Sequence, residues 1–188
     1  MPTQRITRQM VLDAAFELAK AGGMEQVLVK NLAEKLNCSV QPIYSYFQNM
    51  DALRQAVTQR VCLAVRDYAA ARTDATDPFA SVGRAYVQLA GDEPHLFRIF
   101  TLHQREGIAS LDDLYRSEAN AGTADYLART LQISPEQARQ LHLHMLIYTI
   151  GLSAIFSVTA PGISAEEIFS QQELAYQAFL KSVGGNAG

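Results

Sequence analysis

The sequence has few of the features by which metal sites, disulfide frameworks and exported proteins are recognised. Two of its 188 residues are cysteines, Cys38 and Cys62, and no second pair or histidine cluster stands at ligand spacing, so no zinc pattern is present. The first ten residues lack the apolar core of a signal peptide. We therefore expect a cytoplasmic protein whose cysteines are reduced and pack as small apolar side chains.

Long apolar runs are also scarce, with one exception. Residues 140–165 carry no charge, but His142, His144 and several hydroxyl-bearing side chains interrupt the stretch, and Pro161-Gly162 ends it. Because the segment falls short of an unbroken apolar span, it predicts a buried helix and no membrane partner. The two histidines are two positions apart and face different sides of a helix, so no shared metal is predicted.

Enzyme signatures are missing as well. There is no glycine-rich phosphate loop and no HExxH or GxSxG motif, and Asp112-Asp113 is most simply interpreted as the acidic start of a helix. The sequence therefore predicts neither a cofactor nor a catalytic residue. A helical bundle can still build an active site from residues remote in sequence, so a small all-α enzyme stays open as an alternative.

Composition and charge are those of a compact protein with one basic part. The apolar fraction of 48% and the charged fraction of 19% are ample for a core without metal or disulfide. The net charge is -3, but residues 1–60 hold seven Lys or Arg against five Asp or Glu, which leaves a net charge of -5 for the rest. This asymmetry has the sign expected of a DNA-binding head on an acidic body.

Residues 28–53 predict two short helices joined by a tight turn and followed by a longer helix. The first short helix is predicted over Lys30–Leu36, where Leu32, Ala33 and Leu36 share one stripe. The pattern breaks at Asn37. Such a pair of short helices is typical of a helix-turn-helix, which places its second helix in the major groove of DNA.

The second short helix is predicted to run from Val40 to Phe47. Ser39 is the expected N-cap, since its hydroxyl can accept an N–H of the first turn. Ile43 and Phe47 are four apart and point inward. The side chains left on the outer faces, which a major groove would meet, are Val40, Gln41, Pro42, Tyr44 and Tyr46.

The run Ile43-Tyr44-Ser45-Tyr46-Phe47 resembles the end of the recognition helix in the TetR family of transcriptional regulators. The upstream part fits as well: a first helix over Arg8–Ala21, with its apolar stripe, is closed by Gly22-Gly23. The resemblance implies an all-α chain with a helix-turn-helix DNA-binding domain in residues 1–49 and a helical effector-binding and dimerisation domain in residues 50–188. It also implies a homodimeric repressor that binds a palindromic DNA operator and responds to a small molecule.

The expected roles of the DNA-facing residues follow from their chemistry. Gln41 is predicted to be the principal base reader, because its amide can pair with an adenine edge, while Val40 and Pro42 can contact thymine methyl groups. Lys30 could equally be a solvated lysine, and Tyr44 could brace the first helix. The further side chains expected at the DNA, mostly at phosphates, are Arg8, Lys30, Ser39, Tyr44, Tyr46, Asn49 and Arg54.

Past residue 49 the sequence predicts successive helices, each with a clear start signal. The predicted helices start at Met50 or Asp51 with Asn49 as cap, at Asp77-Pro78, at Pro94, at Leu111 and at the two capping boxes Ser134–Gln137 and Ser164–Glu167. Residues 104–110 are predicted to be a loop, and residues 111–131 a single helix.

The last two helices carry more apolar residues than one core-facing stripe needs. On the first of them Leu141, Met145 and Leu152 belong to one apolar row, while Ile147 and Ile150 belong to another. We expect this pair of helices to pack against its copy in a four-helix dimer interface. The alternative is that both faces serve the core of a single subunit.

The effector site is predicted only loosely. Residues 92–100 resemble the segment beneath the ligand cavity in TetR-family members, and aromatic and histidine side chains can line an apolar pocket with a few polar anchors. For any one of them, ordinary core packing is the competing interpretation. The candidates are Tyr86, Phe97, Phe100, His103, Tyr115, His144, Tyr148 and Phe156. A helical ligand-binding module without DNA binding is the remaining alternative.

Overall fold

The computed structural model describes residues 6–119, 121–158 and 163–184. Within these ranges the chain forms ten α-helices and one 3-10 turn, Met24–Gln26, and no strand, which confirms the all-α prediction. Pro161 and Gly162, predicted to end a helix, lie outside the described residues. The helices are α1 (Arg8–Gly22), α2 (Val29–Lys35), α3 (Gln41–Tyr46), α4 (Met50–Ala70), α5 (Pro78–Asp92), α6 (Pro94–Leu102), α7 (Leu111–Glu118), α8 (Ala121–Leu131), α9 (Pro135–Phe156) and α10 (Ala165–Ser182).

The chain divides into two compact units. The head unit comprises the residues up to Tyr68 together with Asp92–His103, and the body unit comprises Ala69–Gly91 and Gln104–Gly188. The head unit is larger than the DNA-binding segment predicted over residues 1–49, since it also takes in most of α4 and all of α6.

Helix α1 has a defined start and stop. The Thr7 hydroxyl accepts the Met10 N–H at 3.2 Å, which satisfies one of the free donors of the first turn. At the other end Gly23 adopts φ +87°, a left-handed conformation that costs glycine little. The predicted Gly22-Gly23 stop is therefore confirmed, with Gly22 as the last helical residue.

The turn after α2 is closed by a Schellman motif. Asn37 takes φ +49°, and the N–H groups of Asn37 and Cys38 donate to the carbonyls of Glu34 and Ala33 at 3.0 and 2.9 Å. Asparagine tolerates this left-handed conformation better than most side chains do. The break that the sequence predicts at Asn37 is thus a specific backbone reversal.

The predicted Ser39 cap of α3 is wrong. Val40 occupies the N-cap, and no side chain caps the helix. Val40 already has helical dihedrals, and its carbonyl accepts the N–H groups of Ile43 and Tyr44 at 3.2 and 3.3 Å. Because Pro42 has no N–H, the first turn also has one donor fewer to satisfy.

The single helix predicted over residues 111–131 is also wrong, because α7 ends at Glu118 and α8 begins at Ala121. Ala119 between them is extended, with φ -79° and ψ 139°, and its N–H donates to Tyr115 at 2.8 Å. Position 119 is alanine, but Asn120 and Gly122 are residue types common at helix boundaries, and the prediction did not use that signal.

The other predicted helix starts are confirmed. Asn49 caps α4 through the Ala52 N–H at 2.8 Å, and Asp77 caps α5 through the Ala80 N–H at 3.2 Å. Both capping boxes form, at Ser134 with Gln137 and at Ser164 with Glu167. Helices α9 and α10, which begin there, pack against each other in the body unit. The core of that packing includes Leu141, Met145, Leu180 and Val183.

Candidate DNA interface and effector core

Helix α3 has one buried face and one free face. Ile43 and Phe47 are 1% and 4% exposed, whereas Val40 and Tyr44 are 44% and 46% exposed. Alpha-helical spacing puts the first pair on one side and leaves the others outside. The inward and outward residues of the predicted recognition helix are therefore as expected.

The predicted base reader stands at the first position of this helix. Gln41 begins α3 and its side chain is exposed, while Pro42 beside it is half-buried. Ser39 is exposed in the turn just before. An amide at the exposed start of a short helix is free to meet a base edge, since helix-turn-helix proteins read bases with the N-terminal residues of the recognition helix.

Tyr44 and Tyr46 occupy different environments. The Tyr46 hydroxyl donates to the Ile6 carbonyl at 2.9 Å, which joins the end of α3 to the residue before the α1 cap. A phenol has a single O–H, so a hydrogen bond to Ile6 leaves none for a phosphate oxygen. The Arg8 guanidinium lies 4.8 Å from the centre of the Phe47 ring, a second tie at the same place.

The remaining phosphate candidates are distributed over α2 and α4. Lys30 is exposed on α2 and forms no ion pair with the described residues. Asn49 uses its side-chain oxygen to cap α4, which leaves its amide N–H groups free to donate. The guanidinium of Arg54 lies 3.5 Å from the carboxylate of Asp51. Leu28, at the N-cap of α2, contributes no side-chain cap.

Three of the predicted effector residues belong to the head unit. Phe97 and Phe100 are buried on α6, at 0% and 4% exposure, and His103 follows that helix with its Nδ1 2.6 Å from the Phe100 carbonyl. Two polar contacts also hold the start of α6 within this unit. Lys20 pairs with Glu93 at 2.6 Å, and the Tyr68 hydroxyl donates to Asp92 at 2.7 Å.

The other five effector candidates lie in the body unit, where Tyr115 is the most buried. Its hydroxyl is 2.9 Å from His142 Nδ1, and the two rings meet edge to face with centres 5.3 Å apart. Burial lowers the pKa of His142 to about 4 and raises the pKa of Tyr115. Both groups are therefore neutral at pH 7, and the phenol can donate to the imidazole.

His144, Tyr148, Phe156 and Tyr86 are half-buried. The rings of His144 and Tyr148 lie 5.0 and 6.1 Å from the ring of Phe179 on α10, and His144 Nδ1 is buried without a hydrogen-bond partner. Phe156 packs so close to Gly91 that a methyl group there would stand 3.1 Å from its ring.

Sequence reasoning missed a polar cluster inside the body unit. Gln172 of α10 is buried, and its amide donates to the Thr149 hydroxyl at 3.2 Å and to the Gly83 carbonyl at 3.3 Å. Ser153 is fully buried, and its hydroxyl has no hydrogen-bond partner. Thr149 and Ser153 are four apart on α9, on the face that also carries Met145. We call Thr149, Ser153 and Gln172 the buried polar cluster.

The signal that could have found this cluster was present in the sequence. In the α9 segment the apolar residues form two rows, and polar His142, Thr149 and Ser153 stand between them at spacings of seven and four. A polar row on a helix that is otherwise apolar can face either solvent or the interior. Neither the capping boxes nor the lengths of the helices tell whether the polar row faces solvent or the interior, so only the structure shows that it is buried.

Another face of α9 and α10 exposes large apolar side chains. Ile147, Ile155 and Leu174 are 47%, 63% and 62% exposed. Near the end of α9 a groove of about 390 Å³ is lined mainly by apolar residues, namely Leu152, Ile155, Phe156, Ile163 and Ile168, with Glu167, Ser170 and Gln171. These side chains therefore lie outside the core formed by the described residues.

Among the residues that the structure describes, no helix combines the length and the apolar character needed to cross a membrane. No three of their histidine, cysteine, aspartate or glutamate side chains are grouped so that they could hold a metal ion.

Residues 11–57 match the family described as bacterial regulatory proteins, tetR family. These residues run from α1 through the helix-turn-helix into α4. No curated protein matches the chain in sequence.

Several solved structures share the fold over nearly the whole chain. A TetR-like transcriptional regulator from Rhodococcus sp. RHA1 is 17% identical, with a TM-score of 0.64, and the match covers 97% of this chain and 100% of that one. A TetR-family regulator from Haemophilus influenzae is 21% identical, with a TM-score of 0.55 and 90% and 94% coverage.

A third solved structure is that of a TetR variant from Acinetobacter baumannii AYE in complex with minocycline. It is 17% identical, has a TM-score of 0.51, and the match covers 95% of this chain and 90% of that one. Its fold and the family match in the head agree with each other. The head segment therefore matches the tetR family of bacterial regulatory proteins over residues 11–57, and the chain has the overall fold of these solved structures.

Proposed function

We propose that the protein is a repressor that binds a palindromic operator as a homodimer and releases it when a small molecule occupies the body unit. The observation that carries the DNA-binding part is the free face of α3, where Gln41 and the exposed Val40 and Tyr44 surround a buried Ile43. Because its DNA target would lie in the cytoplasm, we place the protein there.

In this proposal Gln41 reads bases, and Val40 and Pro42 supply apolar contacts to thymine. Tyr44, Lys30, Arg8, Ser39, Asn49 and Arg54 contact or lie beside phosphates. Phosphate contacts fix the register of a protein on the duplex, whereas base-edge contacts give specificity. Tyr46 is not among these phosphate contacts, because its hydroxyl already donates to the Ile6 carbonyl.

The dimer is supported by the apolar face of α9 and α10. A cluster of exposed isoleucine and leucine side chains beside an apolar groove is unfavourable in water and is relieved when a second copy covers it. A dimer with two-fold symmetry presents two recognition helices about 34 to 36 Å apart, or a multiple of that, to successive turns of DNA. One occupant, a second copy of this chain, would cover the apolar face and would also require an operator with two-fold symmetry.

The effector is proposed to bind in the body unit. Support comes from the buried polar cluster, since an unpartnered hydroxyl inside a protein is unfavourable unless a ligand or water satisfies it. His142 is neutral and no charged residue is among the buried residues described in this unit, so an effector without a buried charge fits best. Tyr86, Tyr115, His144, Tyr148 and Phe156 remain candidates for its apolar surroundings.

The proposed function is tested by selecting bound duplexes from a random DNA library at near-physiological salt and sequencing them. A two-fold symmetric consensus is the expected result. Enrichment of an asymmetric half-site would contradict the dimer, and enrichment of nothing would contradict operator binding. The consensus duplex then serves to screen small molecules, minocycline among them, for one that lowers affinity for DNA in the wild type and not in Ser153→Ala.

A further inference from the structure

One side of α6 lines a cleft within the head unit. The cleft has a volume of about 260 Å³, and all of its walls belong to this unit. The residues that α6 contributes have the spacing of a single helical stripe, whereas Leu96, Phe97 and Phe100 on the other side of the helix are buried. The lining residues are Gly23, Met24 and Glu25 after α1, Thr58 of α4, and His95, Arg98, Ile99, Leu102 and His103.

Two polar groups of this cleft have no partner in the described part of the chain. The Nδ1 atom of His95 is buried there without a hydrogen bond. Arg98 is half-buried and forms no ion pair with the described residues. Because the two residues are three positions apart on α6, their side chains are neighbours. A buried ring nitrogen without a partner is unfavourable, and a guanidinium can receive a carboxylate with two parallel hydrogen bonds. One anionic group could therefore satisfy both side chains.

The other walls restrict what kind of anion fits. Met24, Ile99 and Leu102 are apolar, and Leu102 is 78% exposed, so an apolar part of the ligand would be favoured there. The carboxylate of Glu25 also lines the cleft and disfavours a second negative charge on the ligand. The volume lies below the roughly 300–1,000 Å³ of pockets that hold drug-sized ligands. The walls thus fit a small monoanion with an apolar body.

We propose that this cleft is a binding site for a small apolar monocarboxylate, which pairs with Arg98 and accepts a hydrogen bond from His95 Nδ1. It lies in the head unit and is separate from the effector site proposed for the body unit. The cleft joins α6 to α4 and to the turn after α1, and these two elements stand on either side of the helix-turn-helix in sequence. A bound carboxylate would therefore bridge α6 to the helices that carry the recognition helix.

The experiment titrates the full-length protein with benzoate at pH 7, with benzamide as the neutral counterpart, and follows binding by calorimetry. We expect benzoate to bind, and benzamide to bind at least tenfold more weakly. Arg98→Gln and His95→Phe should each weaken benzoate binding by about 10- to 100-fold, since each removes a hydrogen bond to a charged group. Arg66→Gln is the matched control, because Arg66 is exposed on α4 of the same unit and does not line the cleft. It should leave the affinity unchanged.

Two further measurements separate this site from a loss of structure and from binding elsewhere. Glu25→Gln should strengthen benzoate binding several-fold, because it removes a like charge from the cleft, and a misfolded variant would not gain affinity. In methyl NMR spectra the Ile99 signal should shift during the titration. The signal of Ile168, which lines the groove of the body unit, should not shift.

Four results would overturn the inference: no binding of millimolar benzoate to the wild type, Arg98→Gln that binds as tightly as the wild type, an equal loss of affinity in Arg66→Gln, or a shift of Ile168 without a shift of Ile99. The experiment contains no DNA. Its failure therefore leaves the proposed operator binding standing, and failure of operator binding leaves this site standing.

Discussion

At the scale of single residues, the base contacts that we propose all come from the exposed start of α3. Gln41 is exposed at the first helical position, and its amide makes no hydrogen bond to the described part of the chain. A bidentate amide-adenine contact discriminates by about 1–3 kcal/mol against other bases. A substitution of Gln41 should therefore change the DNA sequence preference more than it changes the free energy of unfolding.

We predict that Gln41→Ala lowers affinity for the consensus duplex by about 1–3 kcal/mol for each half-site and relaxes preference at one base pair in each half-site. The library selection repeated with the variant measures this. Gln140→Ala, an exposed glutamine on α9, is the control and should leave the consensus unchanged. An unchanged consensus for Gln41→Ala would remove the residue from base reading.

His142 predicts a pH dependence of stability. Its pKa is lowered by burial to about 4, while an unfolded histidine has a pKa of about 6.5, so the unfolded chain takes up the proton first. The associated stability is fully present above pH 6.5 and is lost as the pH falls through 6.5 towards 4, up to about 3 kcal/mol. Denaturant unfolding of wild type and His142→Gln at pH 7 and 4.5 should show the wild type losing more stability. Equal losses would mean that His142 is not buried.

A substitution at the buried Ser153 is expected to stabilise the protein, whereas most substitutions in a core destabilise it. The Ser153 hydroxyl is fully buried without a partner, so Ser153→Ala is expected to raise the free energy of unfolding by about 1–3 kcal/mol. Ser157→Ala, at the C-cap of the same helix, is the control, because the Ser157 hydroxyl donates to the Ala154 carbonyl at 2.8 Å. Chemical denaturation of the two variants compares them directly. Destabilisation by Ser153→Ala would show that the hydroxyl has a partner after all.

At the scale of elements, α9 and α10 combine a polar inner row with an apolar outer face. In the inner row Thr149 accepts a hydrogen bond from Gln172, and Ser153 follows one helical turn later. The outer face exposes Ile147, Ile155 and Leu174. In a helix that served only the core of one subunit, the apolar side chains would face inward and the polar side chains would face outward.

We predict that Leu174→Glu dissociates the dimer, because a carboxylate in an apolar interface is costly to bury. Leu63→Glu is a matched control, since Leu63 on α4 has a similar exposure of 59% compared with 62% for Leu174. Sedimentation at micromolar concentration should show a dimer for the wild type and for Leu63→Glu and a monomer for Leu174→Glu. A wild-type monomer would contradict the interface.

The helices illustrate what sequence could and could not predict. Starts marked by Asn49, Asp77, Ser134 and Ser164 were predictable, because each cap is a local hydrogen bond with a known spacing. The break at Ala119 was missed, because alanine favours helix and outweighed the weaker boundary signals of Asn120 and Gly122.

The candidate site also combines features that the sequence predicts with features that it does not. The free face of α3 followed from helical spacing alone. The bond from Tyr46 to Ile6 did not, since a contact across forty positions depends on how α1 and α3 pack. The effector candidates were scattered, with Phe97, Phe100 and His103 in the head unit, because aromatic content alone does not distinguish core from pocket.

At the scale of the whole molecule, the cations that we propose to contact phosphates belong to an acidic chain of net charge -3. Long-range attraction to DNA is therefore weak, and the affinity has to come from particular contacts repeated by symmetry. In a dimer every head-unit residue counts twice.

We predict that Lys30→Ala reduces the steepness of log K against log salt by about 1.8, which is twice the value of one phosphate contact. Lys181→Ala, in the last turn of α10, is the control and should leave the steepness unchanged. Titrations of the consensus duplex between low and physiological salt measure both. An unchanged steepness for Lys30→Ala would identify Lys30 as a solvated surface lysine.

The unpartnered Ser153 hydroxyl also bears on how long the protein persists in a cell. A ligand that binds only the folded chain raises its stability in proportion to the logarithm of ligand concentration over Kd, and one that satisfies Ser153 would do so strongly. Proteases act on transiently opened chains, so the occupied regulator would be degraded more slowly than the empty one. The abundance of the protein would then record past exposure to its effector, in addition to the immediate response at the operator.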